Sequence, residues 1–173
     1  MDCYQPAEIA VKVEDAGVGK ALMVFDKTFM LAMLAGDFIG FGALFYTLVM
    51  SSSPLGFGPT GLLGGMAFSL GLILVIIGGA ELFTGNNLIV MARADRKVTT
   101  AHLVRNRSIV YAGNFVGALA TAVLVIWSGV LDLNGGAVAD NAAAIARGKL
   151  SLDVTQALSA ASCAMCWFVL PSG

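Results

Sequence analysis

The residues that could do chemistry stand together in one short polar segment, Gly-Ala-Glu-Leu-Phe-Thr-Gly-Asn-Asn. It brings a carboxylate at Glu81, a hydroxyl at Thr84 and an amide at Asn86 into a chain that is otherwise strongly apolar. No second carboxylate, no nucleophile with a base and no group of metal ligands accompanies Glu81, and a single carboxylate is not a catalytic set. We therefore predict that the protein is not an enzyme and that this segment belongs to a transport site.

The polar segment interrupts residues 68–91, which read as a membrane helix that stops, turns and resumes. Gly79 and Gly85 lie at the two ends of the turn and have a structural role, because glycine lets the backbone bend there. Irregular backbone at bilayer depth is tolerated only when it is buried in protein or lines a wet cavity. Broken helices point to transport sites in membrane proteins. The alternative is two separate helices joined by an ordinary loop.

Composition identifies a membrane protein. Of the 173 residues 58% are hydrophobic and 12% are charged, whereas a soluble domain has about 25% charged residues. The net charge of −1 and the lack of a basic stripe exclude a nucleic-acid-binding protein. Three cysteines (Cys3, Cys163 and Cys166) and the single His102 suit neither a disulfide framework nor a metal site, and we predict no cofactor.

Hydropathy divides the chain into spans and connections. Lysine and arginine gather between the second and third spans and in the N-terminal segment, which places both on the cytoplasmic side. Lys20 is assigned to the polar side of an amphipathic N-terminal helix. Glycines in the first and third spans predict close helix packing. The predicted segments are a cytoplasmic amphipathic segment (1–27), a three-span repeat (28–131, with spans 28–50, 61–91 and 108–131), an external loop (132–153) and an incomplete fourth span (154–173).

The chain resembles the formate/nitrite transporter family, which includes formate, nitrite and hydrosulfide channels. The resemblance runs nearly continuously over residues 6–158. It rests on Pro-Ala-Glu near the N-terminus, Phe-Ser-Leu-Gly-Leu from Phe68, Gly-Ala-Glu-Leu-Phe-Thr-Gly from Gly79 and Gly-Asn-Phe-Val-Gly-Ala from Gly113. It implies an all-α, aquaporin-like membrane fold with two inverted three-span repeats, assembled as a homo-pentamer with one pore per protomer. This chain would hold the first repeat, with its broken second span, and the beginning of span four.

The resemblance also implies roles for individual residues. Thr84 matches a mobile loop position, and Phe68, Leu72 and Phe83 match apolar constrictions. Lys149 matches a basic residue that attracts the anion. Spacing alone would instead favour ordinary helix packing for the three apolar residues and a solvated charge for Lys149.

The function implied is passive, proton-linked passage of small monovalent anions such as formate or nitrite through a bacterial inner membrane. A bare anion crossing an apolar constriction loses its hydration at a large cost. A weak acid avoids that cost by taking up a proton, while the Thr84 hydroxyl, Asn86 and free backbone N–H groups hold the ion. The rival hypothesis is a small membrane scaffold or assembly protein in which the broken helix serves only for packing.

The chain departs from the family pattern in several places. The histidine of the fifth span and the asparagine of the fourth have no counterpart, and Arg93 and Arg107 stand where the resemblance implies tryptophan. Our hypothesis for residues 159–173 is a one-base deletion near Ser159, in the gene or in the sequence read, because a shifted reading of this tail resembles the beginning of the family's fourth span. We therefore expect an incomplete fragment that does not conduct, in which Glu81 and Asn86 lack partners from the second repeat.

Overall fold

The protein is helical throughout the part described by the computed structural model, which covers the backbone of residues 5–169. Side chains are described for the same residues except Pro6, Ala7 and residues 163–169, so the three cysteines lie outside them. In chain order the helices are α1 (Pro6–Leu22), α2 (Phe25–Met50), α3 (Phe57–Ile77), α4 (Ile89–Ala94), α5 (Thr100–Trp127), α6 (Ala137–Leu150) and α7 (Val154–Val169), with 3₁₀ turns at Gly85–Leu88 and Val130–Gly136.

Three of these helices are long and apolar enough to cross a membrane, namely α2, α3 and α5. A helix rises 1.5 Å per residue and needs about 20 residues to cross the hydrocarbon layer. The predicted all-α membrane fold is thereby confirmed. The third span begins earlier than predicted, at Thr100 instead of 108, because Arg105 and Arg107 lie within the helix rather than in the loop before it.

Helix α2 lies at the centre of the bundle, between α3 and α5. The backbones approach so closely that only glycine fits at the crossings. A Cβ atom at Gly42 would stand 2.8 Å from Phe68 O, and one at Gly71 would stand 2.7 Å from Phe38 O. Gly36 and Gly117 make the same kind of approach between α2 and α5. Small residues allow such contacts between membrane helices, as the sequence predicted.

The N-terminal helix α1 packs under the bundle against α4. Its apolar side meets a small core formed by Ala21, Ile89, Ala92 and Val98. At the rim, Lys97 Nζ lies 2.7 Å from Glu14 Oε2. The amphipathic helix predicted for this segment is therefore present and docked onto the second span.

The second span is interrupted as predicted. Helix α3 ends at Ile77, and Gly79 takes the left-handed conformation with φ of 60°. Gly79 N donates to Ile76 O at 3.3 Å and Ala80 N donates to Val75 O at 3.0 Å. This pair of bonds is the Schellman pattern that closes a helix end. Because α4 has only six residues, it is too short to be a span of its own.

The connection after the third span is more ordered than the predicted loop. Residues 132–153 contain most of the 3₁₀ segment and the whole of α6, so the loop assignment was wrong in its secondary structure. Beyond it α7 begins at Val154, and residues 154–162 are all exposed. The predicted frameshift concerns residues 159–173, of which 170–173 lie outside the described residues.

Candidate functional site

Residues 78–84, the break loop, leave the membrane helix and turn back towards α2 and α5. Glu81 N donates to Leu31 O of α2 at 3.1 Å. Phe83 N donates to Asn114 Oδ1 of α5 at 2.9 Å. Backbone groups that lose their helical partners in a membrane must find others. The break loop does so on both neighbouring spans, which fixes its position in the bundle.

Asn114 links all three spans through one amide group. Its Nδ2 donates to Ala32 O at 2.8 Å and to Glu81 O at 2.9 Å, while its Oδ1 accepts from Phe83 N. The sequence analysis placed Asn114 in a motif but gave it no role. A polar side chain inside an apolar span was the available signal.

Glu81 is 3% exposed and its charge is matched by Lys20 of α1. Lys20 Nζ lies 3.0 Å from Glu81 Oε1. Asn86 Nδ2 donates to Glu81 Oε2 at 2.7 Å. A buried carboxylate is tolerated when it is both paired and hydrogen-bonded. The assignment of Lys20 to the outward polar side of α1 was therefore wrong.

Asn86 is fully buried and all of its amide atoms have partners. Besides Glu81, its Nδ2 donates to Asn106 Oδ1 at 3.0 Å, and its Oδ1 accepts from Lys20 Nζ at 3.3 Å. Asn106 Nδ2 in turn donates to Lys20 O at 2.9 Å. These four residues, Lys20, Glu81, Asn86 and Asn106, form the polar network. Glu81 and Asn86 were expected to lack partners from the second repeat; within this first repeat, Lys20 of α1 pairs with Glu81, and Lys20 and Asn106 of α5 bond to Asn86.

Two cavities flank neighbouring turns of α3. One, of about 370 Å³, is bordered by Leu72, Gly79, Glu81, Gly85 and Asn86, together with Lys20 of the polar network. The other, of about 390 Å³, is bordered by Phe68 and Lys149, with Tyr46 and Thr47 of α2. Phe68 and Leu72 are four residues apart and therefore lie on one face of the helix. The structure thus brings most of the predicted site residues to two adjacent openings.

Phe83 and Thr84 lie on the other side of the break loop, towards α5. The Phe83 ring meets Tyr111 edge to face at 5.6 Å between centroids, and the Arg107 guanidinium lies 5.0 Å from its centroid. Thr84 is half-buried and its carbonyl accepts from Asn87 N at 3.3 Å. Neither residue borders the two cavities described above. Arg107 and Tyr111 were not among the predicted site residues.

The rest of the candidate chemistry is sparse. Within the described side chains, no group of three His, Cys, Asp or Glu residues could hold a metal ion. At the rim outside the spans, the hydrogen bond from Lys97 lowers the pKa of Glu14, and the same contact raises the pKa of Lys97. The site therefore consists of a buried carboxylate paired with a partly exposed lysine, amide groups and apolar walls.

This chain is similar to known membrane transport proteins. The formate/nitrite transporter family profile matches residues 7–170. The formate channel FocA of Escherichia coli K12 is 45% identical over 129 residues, 74% of this chain and 45% of that protein. The formate channel BtFdhC of Bacillus thuringiensis is 35% identical over 152 residues, 87% of this chain and 58% of that protein.

A solved pentameric formate channel with formate bound has a similar fold, with a TM-score of 0.68 and 39% identity. The match covers 76% of this chain and 52% of that one. The chain spans about half the length of the curated relatives it matches. The matched residues and the fold agree, and the chain belongs to the formate/nitrite transporter family.

Proposed function

We propose that this chain supplies the first half of a passive transmembrane pathway for small monovalent anions such as formate or nitrite. The observation that carries the proposal is the break loop, which leaves α3 within the bundle and is held on α2 and α5 by Glu81 N, Phe83 N and Asn114. The relatives described as formate channels support the same function. Hydrosulfide is a further candidate cargo.

The proposed path begins at Lys149, which borders a cavity together with Phe68. A cation there raises the local concentration of anions. The apolar side chains of Phe68, Leu72 and Phe83 form the proposed constrictions, where a bare anion would lose its hydration. A weak acid crosses them more easily after taking up a proton, so flux is linked to protons.

The break loop provides the polar groups along this path. We assign the Thr84 hydroxyl, on a half-buried residue next to Phe83, to meet the ion. Asn86 borders a cavity, but its amide atoms already have partners, so we assign it to the wall of the pathway. Glu81, Gly79 and Gly85 have structural roles in shaping and anchoring the loop.

The proposed setting is a bacterial inner membrane, with the N-terminus in the cytoplasm and the three spans in contact with lipid. The solved relative is a pentamer, and we extend that assembly to a complete protein built on this chain. A pathway between inverted repeats needs both halves. We therefore expect residues 1–173 by themselves to pass no formate.

Formate efflux from proteoliposomes tests this function. The samples are the chain alone, the complete E. coli relative and a hybrid in which residues 5–153 replace the matching half of that relative. We expect flux from the hybrid and the relative and none from the chain alone. Flux that is lost in the hybrid with Phe83→Asp and reduced with Thr84→Val supports the pathway. A folded hybrid that passes no formate favours the scaffold function.

A further inference from the structure

Arg107 occupies an unusual position next to a proposed constriction. It lies two turns into α5, and its guanidinium stands over the Phe83 ring at 5.0 Å. Its Nη2 donates to Asn87 Oδ1 at the far side of the break loop. The side chain is half-buried. Arg107 therefore touches both the apolar ring and the polar end of the interrupted span.

No acid among the described side chains forms an ion pair with Arg107. Among the described side chains the ion pairs are made by Lys20 and Lys97, and neither involves an arginine. A guanidinium has five N–H donors in a planar fork that suits two-point binding of a carboxylate. One hydrogen bond and one ring contact leave most of these donors without a protein partner. A half-buried cation in this state attracts an anion.

We propose that Arg107 is an anion-docking residue at the Phe83 end of the pathway, opposite Lys149 at the Phe68 end. Its ligand is a small planar oxyanion with two oxygen acceptors, of the formate or nitrite type. This inference rests on the proposed function, because it takes Phe83 as a constriction. Each proposed aromatic constriction then has its own cation, Lys149 with Phe68 and Arg107 with Phe83.

Chemical modification of arginine tests the docking directly on the unaltered chain in lipid nanodiscs. Phenylglyoxal modifies free guanidinium groups, and peptide mass spectrometry gives the rate at each arginine. Arg105 is the internal control, because it is on the same helix and donates to Met23 O, away from the break loop. Sodium formate is the probe, and sodium sulfate at equal ionic strength is the comparison.

We expect formate at twice its dissociation constant to slow modification of Arg107 about threefold, since two thirds of the sites are then occupied. Arg105 should react at an unchanged rate, and sulfate should protect Arg107 less. Equal protection of both arginines by formate and sulfate would indicate general screening and would overturn the docking. An absence of protection would do the same.

Flux through the hybrid separates this inference from the proposed function. Arg107→Gln should raise the apparent KM for formate about tenfold with little change in maximal flux, because uniform binding is lost. Arg107→Lys keeps the charge but loses the planar fork, so it should recover part of the affinity, a partial rescue that a purely structural role would not produce. If Thr84→Val reduces flux while formate fails to protect Arg107, the docking is wrong and the pathway stands. If Arg107 is protected but the hybrid passes no formate, the pathway is wrong.

Discussion

Glu81 carries a carboxylate that is almost fully buried, and its contacts explain which neighbouring residues the site requires. Lys20 neutralises it, Asn86 donates to it, and Asn106 links Asn86 to the backbone carbonyl of Lys20 in α1. Removing one member of such a set leaves a charge or a polar group without a partner. The loss of stability should therefore depend on which member is replaced.

Lys20→Met should destabilise the protein by about 2 kcal/mol, less than the loss from a fully buried pair, because the Lys20 side chain is 36% exposed. Thermal unfolding in detergent, followed by circular dichroism, measures the change. Lys97→Met removes an exposed pair and serves as the matched control, with a smaller effect. The double variant Lys20→Met with Glu81→Gln should recover most of the loss. A double variant as unstable as Lys20→Met would contradict the pairing.

Asn114→Ala should loosen the break loop, since Ala32 O, Glu81 O and Phe83 N lose a partner together. Unsatisfied buried groups cost about 1–3 kcal/mol each, so amide exchange in residues 80–86 should rise strongly. Hydrogen–deuterium exchange in nanodiscs measures this. Asn141→Ala removes one bond to Thr47 O and is the control. Unchanged exchange in the loop would show that Asn114 does not hold it.

At the scale of helices, the interrupted span depends on close backbone contact with α2. The contacts at Gly42 and Gly71 leave no room for a side chain. The rim contact between α1 and the loop after α4 depends instead on charge. Added side-chain volume should disturb the glycine contacts, whereas a change of pH should disturb the charged contact.

Gly71→Val should push α3 away from α2 and destabilise the bundle by about 1–3 kcal/mol, the usual range for overpacking. Gly61 lies on the same helix with no atom within 4 Å of an added Cβ, so Gly61→Val is the control. Unfolding of both variants in rising concentrations of a denaturing detergent measures the difference in their stability. Equal stability of both would mean that the observed packing does not persist in lipid.

The docking of α1 should weaken in acid. Because Lys97 lowers the pKa of Glu14 below its ordinary value of 4.5, the Glu14 contribution is present above that value and is lost as pH falls through the lowered pKa. Amide exchange of residues 8–20 as a function of pH measures the effect, after correction for intrinsic exchange rates. Glu14→Gln should abolish the pH dependence. A pH dependence that persists in Glu14→Gln would assign it to another group.

The helices were easier to predict than the site. Long apolar runs and glycine spacing predict α2, α3 and α5 from local sequence, and the Gly79 turn predicts the break. Helix α6 was missed because it has only 14 residues, many of them alanine, and is too short and too weakly apolar to be read as a span. The Lys20–Glu81 pair was missed for a different reason, since local periodicity carries no signal for partners far apart in sequence. Asn86 was predicted to bind the ion. In the structure its amide nitrogen donates to Glu81 and Asn106 within the bundle.

At the scale of the whole molecule, the chain spans about half of its curated relatives, and the proposed pathway needs a complementary half. In this proposal, Phe68 and Leu72 of α3 line one wall of that pathway. The opposite wall would come from an inverted repeat. The one-base deletion near Ser159 is our proposal for how this chain is separated from that complementary half.

Sequencing the gene across codon 159 tests this explanation. We expect a second reading frame that continues with an apolar fourth span and then the remaining spans. The absence of any downstream frame with membrane spans would contradict the deletion. The assignment of the chain to its family would be unaffected.

The most direct test of the break loop as a permeation element is thiol block of formate flux in the hybrid, made without its native cysteines. The variants are Thr84→Cys in the loop and Ile77→Cys, whose native side chain is 80% exposed at the end of α3. We predict that a charged methanethiosulfonate reagent stops formate flux through Thr84→Cys and leaves Ile77→Cys conducting. Undiminished flux after complete labelling of Thr84→Cys would contradict the account.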